Sequence, residues 1–362
     1  MIEIVPSGTH IDFLGRRRVA FAVSGLLLAA GVAAVLVQGV RFGIDFAGGT
    51  EVAVRFDPGV AVEEGAIREL AGACGVLDPT VVRYGETEAP EFLIRFNQVA
   101  AGAERGAESC PVSEEGRERL FEVDEATGAS EETPGTGAAV DFLVLALEER
   151  LGAMELLSVE YVGPRVGDEL RRDGLSALGI AIVMILVYIG FRFSSRFAPG
   201  AVVALLHDVL ITAGIFIVFR LEFDLSVLAA LLAIIGYSLN DTIIIYDRIR
   251  ENMALRTKHD LEDVLNRSVN QTLSRSLLTS LTTLGAVLCL LIVGGEVIFP
   301  FALAMSIGIV VGTYSSVFIA APALLFLEQR FGEAGGETSG KATGGKSGGK
   351  GGKKKARKIE AA

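Results

Sequence analysis

Ionisable residues interrupt three long apolar stretches of this 362-residue chain. Asp241 stands in Gly236-Tyr237-Ser238-Leu239-Asn240-Asp241-Thr242, just before three isoleucines, Ile243 to Ile245. At helical spacing Tyr237, Ser238 and Ile245 share its face. His207 and Asp208 lie side by side in a second apolar run, and Arg275 opens a third, with Thr279 and Thr282 on its face. A charged side chain at the bilayer centre costs about 2.5–3.5 kcal/mol on insertion scales, and such residues mark ion pathways, proton relays or buried pairs. Asp241 therefore reads either as a carboxyl that carries a proton or as a structural or interfacial acid. Arg275 is the deepest cation available to pair with it; the alternative is an ordinary arginine at a helix end. His207 and Asp208 both change protonation and so suit a relay, with plain helix–helix hydrogen bonding as the other reading. Neighbours on a helix point about 100° apart, so they are not expected to face one seam squarely.

Soluble-enzyme chemistry finds no support. There is no Gly-rich phosphate loop, no GxSxG, no HExxH and no CxxC, and the only histidines are His10, His207 and His259. The expectation is a protein with no catalytic residues, no metal and no cofactor. The glycines of 43–50 (GIDFAGGT) follow an apolar run rather than a strand, so no dinucleotide site is indicated.

These residues need elements to hold them, and composition names the kind. The chain is 51% hydrophobic and its mean hydropathy is +0.49, too apolar for an ordinary soluble domain. A spanning helix needs about 20 mostly apolar residues. Six runs qualify, at 19–40, 175–193, 199–219, 225–246, 277–293 and 299–327. The first is read as a retained anchor. Arg16, Arg17, Arg18, Arg192, Arg196, Arg248, Arg250, Arg256, Lys258, Arg267 and Arg330 gather on one side, against Arg41 and Arg220 on the other. The positive-inside rule then makes both termini cytoplasmic. The expected organisation is a cytoplasmic N-tail (1–18), helix 1 (19–40), a periplasmic domain (41–170), a five-helix bundle (171–330) and a Lys/Gly-rich cytoplasmic tail (331–362).

The exported domain is acidic, with 27 acids and 9 bases between Asp45 and Glu169. Alternation predicts strands at 50–56, 80–84, 91–96 and 155–162, and helical spacing predicts helices at 62–73 and 140–151. The fold class expected is a polytopic α-helical membrane protein with six transmembrane helices and a small α+β periplasmic domain between helices 1 and 2. Residues 99–137, rich in Glu, Gly, Ala and Ser, read as a flexible acidic insertion. Cys74 and Cys110 lie in a compartment that permits disulfides; the aperiodic sequence around Cys110 weighs against a bridge, and the pairing stays open. Leu261, Val264, Leu265, Val269, Thr272 and Leu273 form one apolar face, expected to lie along the cytoplasmic interface before the chain turns into the fifth helix. Gly308 and Gly312 read as a close-packing GxxxG. The Lys-rich tail reads as a solvated, disordered segment, with weak attraction to anionic lipid or RNA as the alternative; nucleic acid is not among the expected partners.

Five stretches together carry a resemblance: 43–50 (GIDFAGGT), 162–170 (VGPRVGDEL), 204–212 (ALLHDVLIT), 235–252 (IGYSLNDTIIIYDRIREN) and 271–283 (QTLSRSLLTSLTT). The chain resembles the SecF family, the smaller membrane subunits of the bacterial SecDF protein-export complex. The resemblance covers nearly the whole chain. It implies six helices, a periplasmic domain after the first, and a SecD-type partner that completes a twelve-helix unit like the resistance-nodulation-division transporters. It implies a complex in the inner membrane that uses the proton gradient to help draw a translocating preprotein out of the SecYEG channel. The family's transmembrane Asp and Arg match Asp241 and Arg275, with His207 and Asp208 as possible members of the proton path. Its motifs match Gly43, Asp45, Gly48, Gly49, Gly163, Pro164, Gly167, Gly236, Tyr237, Asn240, Asp247 and Arg248. The insertion and the tail depart from the family pattern. A half-size proton-coupled efflux transporter is the alternative function, and a membrane enzyme using Asp208 with Asp241 a third.

Overall fold

The structure is a computed structural model that describes residues 10–84, 89–99, 110–117, 136–193, 197–255 and 260–331. Most of the insertion, residues 332–362 of the tail, and Arg196, Arg256, Lys258 and His259 lie outside the described residues. The order of elements is α1 (Arg17–Gln38), α2 (Ile44–Ala47), β1 (Gly49–Phe56), α3 (Glu64–Ala73), β2 (Val76–Leu77), β3 (Thr80–Tyr84), β4 (Glu91–Phe96) and β5 (Gln98–Val99). There follow α4 (Thr136–Leu151), β6 (Met154–Val162), α5 (Pro164–Arg192), α6 (Ala198–Val218), α7 (Leu225–Ala254), α8 (Leu261–Val293), α9 (Gly295–Ser315), a π-helical turn (Ser316–Ala320) and α10 (Ala321–Phe331). Among the described residues, six helices are long and apolar enough to cross a membrane: α1, α5, α6, α7, α8 and the stretch Val297–Arg330, which runs from α9 through α10.

Period-2 patterning builds the domain between α1 and α5. Its four-stranded antiparallel sheet has the order β3-β4-β1-β6. Val52 pairs with Ile94 and Val54 with Phe92, so one face collects Val52, Val54, Phe56, Phe92, Ile94 and Phe96. All six are buried under Ile67 and Ala71 of α3 and Leu143, Ala146 and Leu147 of α4. The predicted strands and helices are all present. Among the described residues β6 pairs only with β1 and leaves Leu156, Leu157, Val159 and Tyr161 exposed.

The Cys74–Cys110 bridge is formed, with the cysteines 36 residues apart in sequence. Both are buried in the domain core. The segment after Cys110 is tied down locally. Ser113 donates to Glu149 from its amide (2.8 Å) and its hydroxyl (2.7 Å), and Arg117 donates to the Cys110 carbonyl. Aperiodic sequence is thus compatible with fixed structure once side chains outside it supply the contacts. Removing the bridge as Cys74→Ser with Cys110→Ser should cost the domain about 3–4 kcal/mol in the chain-entropy view of loop closure. Thermal unfolding of the purified chain with and without reductant measures it. In the unreduced, denatured protein only Cys289, the remaining free cysteine, should take up a thiol label.

The bundle corrects one expectation about α8. Residues 261–276 do not lie flat and then turn; α8 is a single helix of 33 residues, about 50 Å long. Its apolar face packs inward, with Leu265 and Val269 fully buried beside Leu324 and Leu325. The polar residues on the flank have partners in the N-terminal segment. Asn266 accepts from the Phe13 amide, Asn270 exchanges two hydrogen bonds with the Ile11 backbone, and Glu262 pairs with Arg17. Gly308 and Gly312 pack as expected, against Ile234 and Ser238 of α7.

Candidate functional site

α7 is the axis of the site. Its face toward α6 and α9 presents Ser238; one turn on, its face toward α8 presents Asp241. Two polar clusters are built on these residues, both inside the bundle.

The first cluster centres on Asp208 of α6. Its Oδ2 accepts from Ser238 Oγ (2.5 Å) and Ser315 Oγ (2.8 Å), and its Oδ1 lies 2.9 Å from His207 Nδ1. His207 Nε2 lies 2.9 Å from Ser24 Oγ. Ser24 also touches Tyr314 Oη at 3.2 Å, and that hydroxyl donates to the Ala20 carbonyl. The chain Tyr314–Ser24–His207–Asp208–Ser238 thus links α9, α1, α6 and α7. His207 and Asp208 point to different neighbours, as adjacent helical residues must. Asp208 faces α7 and α9, His207 faces α1, and the imidazole reaches back to its neighbour. The π turn at Ser316–Ala320 begins directly after Ser315, where a local widening of the helix re-aims side chains at the cluster.

The second cluster is sparse. Asp241 is 2% exposed. Its Oδ2 accepts one long hydrogen bond from Ser280 Oγ (3.4 Å), and its Oδ1 has no hydrogen-bond partner among the described residues. Ser280 accepts in turn from Thr313 Oγ1 at 2.8 Å, and the Ser276 hydroxyl stands beside the same carboxyl. Buried polar atoms are nearly always bonded, so a half-satisfied carboxyl beside two serines stands out.

Arg275 does not close the site. It is exposed on α8, and no ion pair within 4.0 Å joins it to Asp241 among the described residues. The pairing expected from sequence is therefore absent in this arrangement. Asp208 and Asp241 are not hydrogen-bonded to one another either; they hang on different serines.

The motif residues divide between two tasks. Gly48 (φ +72°) adopts a backbone that side chains rarely take, and a Cβ there would lie 2.8 Å from Pro164 Cα. A Cβ on Gly167 would lie 2.9 Å from the Gly48 amide nitrogen. Gly49 (φ +138°) would meet the Phe96 carbonyl at 2.8 Å. Gly163 caps α5 and Pro164 opens it. The two glycine motifs therefore interlock where the sheet domain meets α5. Gly43 donates to the Phe223 carbonyl at 2.8 Å, and Asp45 accepts from the Leu225 amide at 2.9 Å. Asp45 thus joins Asp224 in satisfying the first turn of α7. The domain is bolted to the helix that carries Asp241, a connection no periodicity reveals. Gly236 and Asn240 lie on the exposed side of α7, the Tyr237 hydroxyl is buried without a partner, Asp247 reaches Arg192 at 4.0 Å, and Arg248 bonds Gln271 and Glu251.

A second fastening was not expected. Arg95 of β4 pairs with both Glu51 of β1 and Glu222 of the α6–α7 connection. Burial pushes the Glu51 carboxyl above its ordinary value, with Arg95 pulling the other way. Burial likewise raises Asp224, against the hydrogen bond from Val227. Burial opposes the charge of Arg95, yet Glu51 and Glu222 outweigh it and raise its value. Arg and Glu in separate strands give a weak signal in sequence; only the register of β1 with β4, which sets Glu51 opposite Arg95, points to the pair.

Spanning helices, one small sheet domain and a buried acid on the central helix define a multi-pass membrane protein. The family described as "Protein export membrane protein SecD/SecF, C-terminal" matches residues 145–330, and the "SecD/SecF GG Motif" matches residues 33–60. The protein translocase subunit SecF of Magnetococcus marinus is 41% identical over 327 residues, covering 90% of this chain and 95% of that protein. The subunit of the same name from Calditerrivibrio nitroreducens is 39% identical over 322 residues, covering 88% and 95%. The crystal structure of SecDF from Thermus thermophilus superposes with a TM-score of 0.69 at 34% identity, over 89% of this chain and 39% of that longer one. A SecDF structure in a super-membrane-facing form gives 0.59 at 33% identity. The chain belongs to the SecF family of protein translocase subunits. The efflux reading is set aside with that assignment.

Proposed function

We propose that this chain is the SecF-type half of a proton-driven unit in the inner membrane. It pairs with a SecD-type subunit and helps draw a translocating preprotein out of the SecYEG channel. Both termini are cytoplasmic and the sheet domain periplasmic, as the Lys and Arg distribution favours. The observation that carries the reading is Asp241: a carboxyl buried at the α7–α8 seam, with one oxygen unpartnered and two serine hydroxyls beside it.

A carboxyl in that position exchanges between two states. Burial disfavours its charged form, and approach of the Arg275 guanidinium favours it. Movement of α8 against α7 brings Arg275 nearer or takes it away, so proton uptake and release accompany helix motion. His207 and Asp208, one turn away through Ser238, orient and hydrate the path. α7 is capped by Asp45, so its displacement is passed to the sheet domain through the interlocked 43–50 and 162–170 segments.

The partner is supported by what this chain leaves open. Asn240, Arg275 and Thr282 face outward from membrane helices, an expensive arrangement in lipid. β6 offers an uncovered edge with exposed Leu156, Leu157, Val159 and Tyr161, suited to pairing with a further strand. Blue-native gels of detergent-extracted membranes from cells holding a SecD-type protein should show the two together. A solitary monomer under those conditions would contradict the proposal.

A further inference from the structure

A groove of about 590 Å³ opens on the sheet-domain side of the bundle. α1, α6 and α8 end around it, and α9 begins there. Helix ends mark the edge of the hydrocarbon layer, so the groove straddles the boundary between acyl chains and headgroups. Its membrane-side wall is apolar, formed by Leu291, Ile292, Phe299 and Leu303. Ile292 and Phe299 are exposed, and the groove runs on into the lipid-facing surface.

Its rim carries Arg41, Arg95 and Arg220 together with Glu222 and Asp224. Glu222 is taken by Arg95 and Asp224 by the Val227 amide. Arg41 and Arg220 also line the groove; both are exposed, and neither has an acidic partner among the described residues. Arg220 is held in an unusual way. Its amide donates to the Ile217 carbonyl and the Leu221 amide to the Phe216 carbonyl, the pair of bonds that ends a helix with a left-handed residue. Glycine normally takes that position, yet Arg220 occupies it at φ +57°. An L-residue there is disfavoured, which points to a use for the side chain.

We propose that this groove holds one anionic phospholipid, its phosphate between Arg41 and Arg220 and its acyl chains along Leu291, Ile292, Phe299 and Leu303. Two uncommitted guanidiniums above an apolar slot complement a phosphodiester above hydrocarbon. The site is separate from Asp241 and does not depend on proton coupling.

The test is native mass spectrometry of the purified full chain in micelles holding equal amounts of phosphatidylglycerol and phosphatidylcholine. The wild type should retain one phosphatidylglycerol in preference to phosphatidylcholine. Arg41→Gln with Arg220→Gln should weaken that binding roughly thirtyfold, as expected for two surface arginines facing anionic lipid. Leu303→Trp, which fills the slot but keeps both arginines, should lose it too. Glycerophosphoglycerol, the headgroup without chains, should not bind. Equal retention of the two lipids overturns the proposal. So does unchanged phosphatidylglycerol binding by the double-arginine variant, or absence of the lipid in the complex purified with its partner, where protein would then fill the groove.

Discussion

Asp241→Asn should leave the chain folded and assembled and abolish the part of preprotein transport that depends on the proton gradient. The substitution preserves shape. Asparagine can still take the hydrogen bond from Ser280, and it avoids burying a charge at a site with one oxygen unpartnered. Stability is therefore unchanged or slightly raised, while titration is lost outright. Arg275→Lys keeps the charge but changes its reach and geometry, so stimulation by the gradient should fall without vanishing. Transport into inverted membrane vesicles depleted of the native complex, with and without a gradient, separates these outcomes. An Asp241→Asn protein with wild-type stimulation would make Asp241 a structural residue.

Gly167→Leu should have the largest effect on architecture. The new side chain would start 2.9 Å from the Gly48 nitrogen and 3.2 Å from the Phe46 carbonyl group, all backbone atoms. Gly48 cannot yield, because its own left-handed backbone is pressed against Pro164. Overpacking of a tight core costs about 1–3 kcal/mol and sometimes more; with backbone on both sides, about 3 kcal/mol or above is expected here. The damage falls on the seam between the sheet domain and α5, so the bundle helices persist while the domain loosens. Limited proteolysis should cut between β6 and α5 faster than in wild type, and the unfolding temperature should drop. Gly179→Ala, at a helix position open on all sides, should leave both measurements unchanged.

Local repetition carried most of the fold into view. Apolar runs of spanning length predicted the membrane helices, and alternation at 50–56 and 91–96 predicted strands that pair in register through Val52 with Ile94. The positions of ionisable residues in apolar runs pointed to Asp241, His207 and Asp208, all of which are buried. What stayed hidden rests on contacts between distant segments. The N-terminal segment, through Ile11 and Phe13, bonds to Asn266 and Asn270 on the flank of α8, which runs as one continuous helix instead of an interfacial segment and a turn. Asp45 caps a helix 180 positions away, and Cys74 finds Cys110 across sequence with no period. No ion pair joins Asp241 to Arg275 among the described residues. Arg275 is exposed on α8, while Asp241 is buried where α7 meets α8.

Proton movement itself tests the central claim most directly. The chain, co-reconstituted with its SecD-type partner in liposomes holding a pH-sensitive dye, is given an imposed gradient, first alone and then with a preprotein in transit. The account predicts proton flux that rises when preprotein is engaged and is absent in the Asp241→Asn complex. Flux of the same size in the wild type and in Asp241→Asn would contradict it.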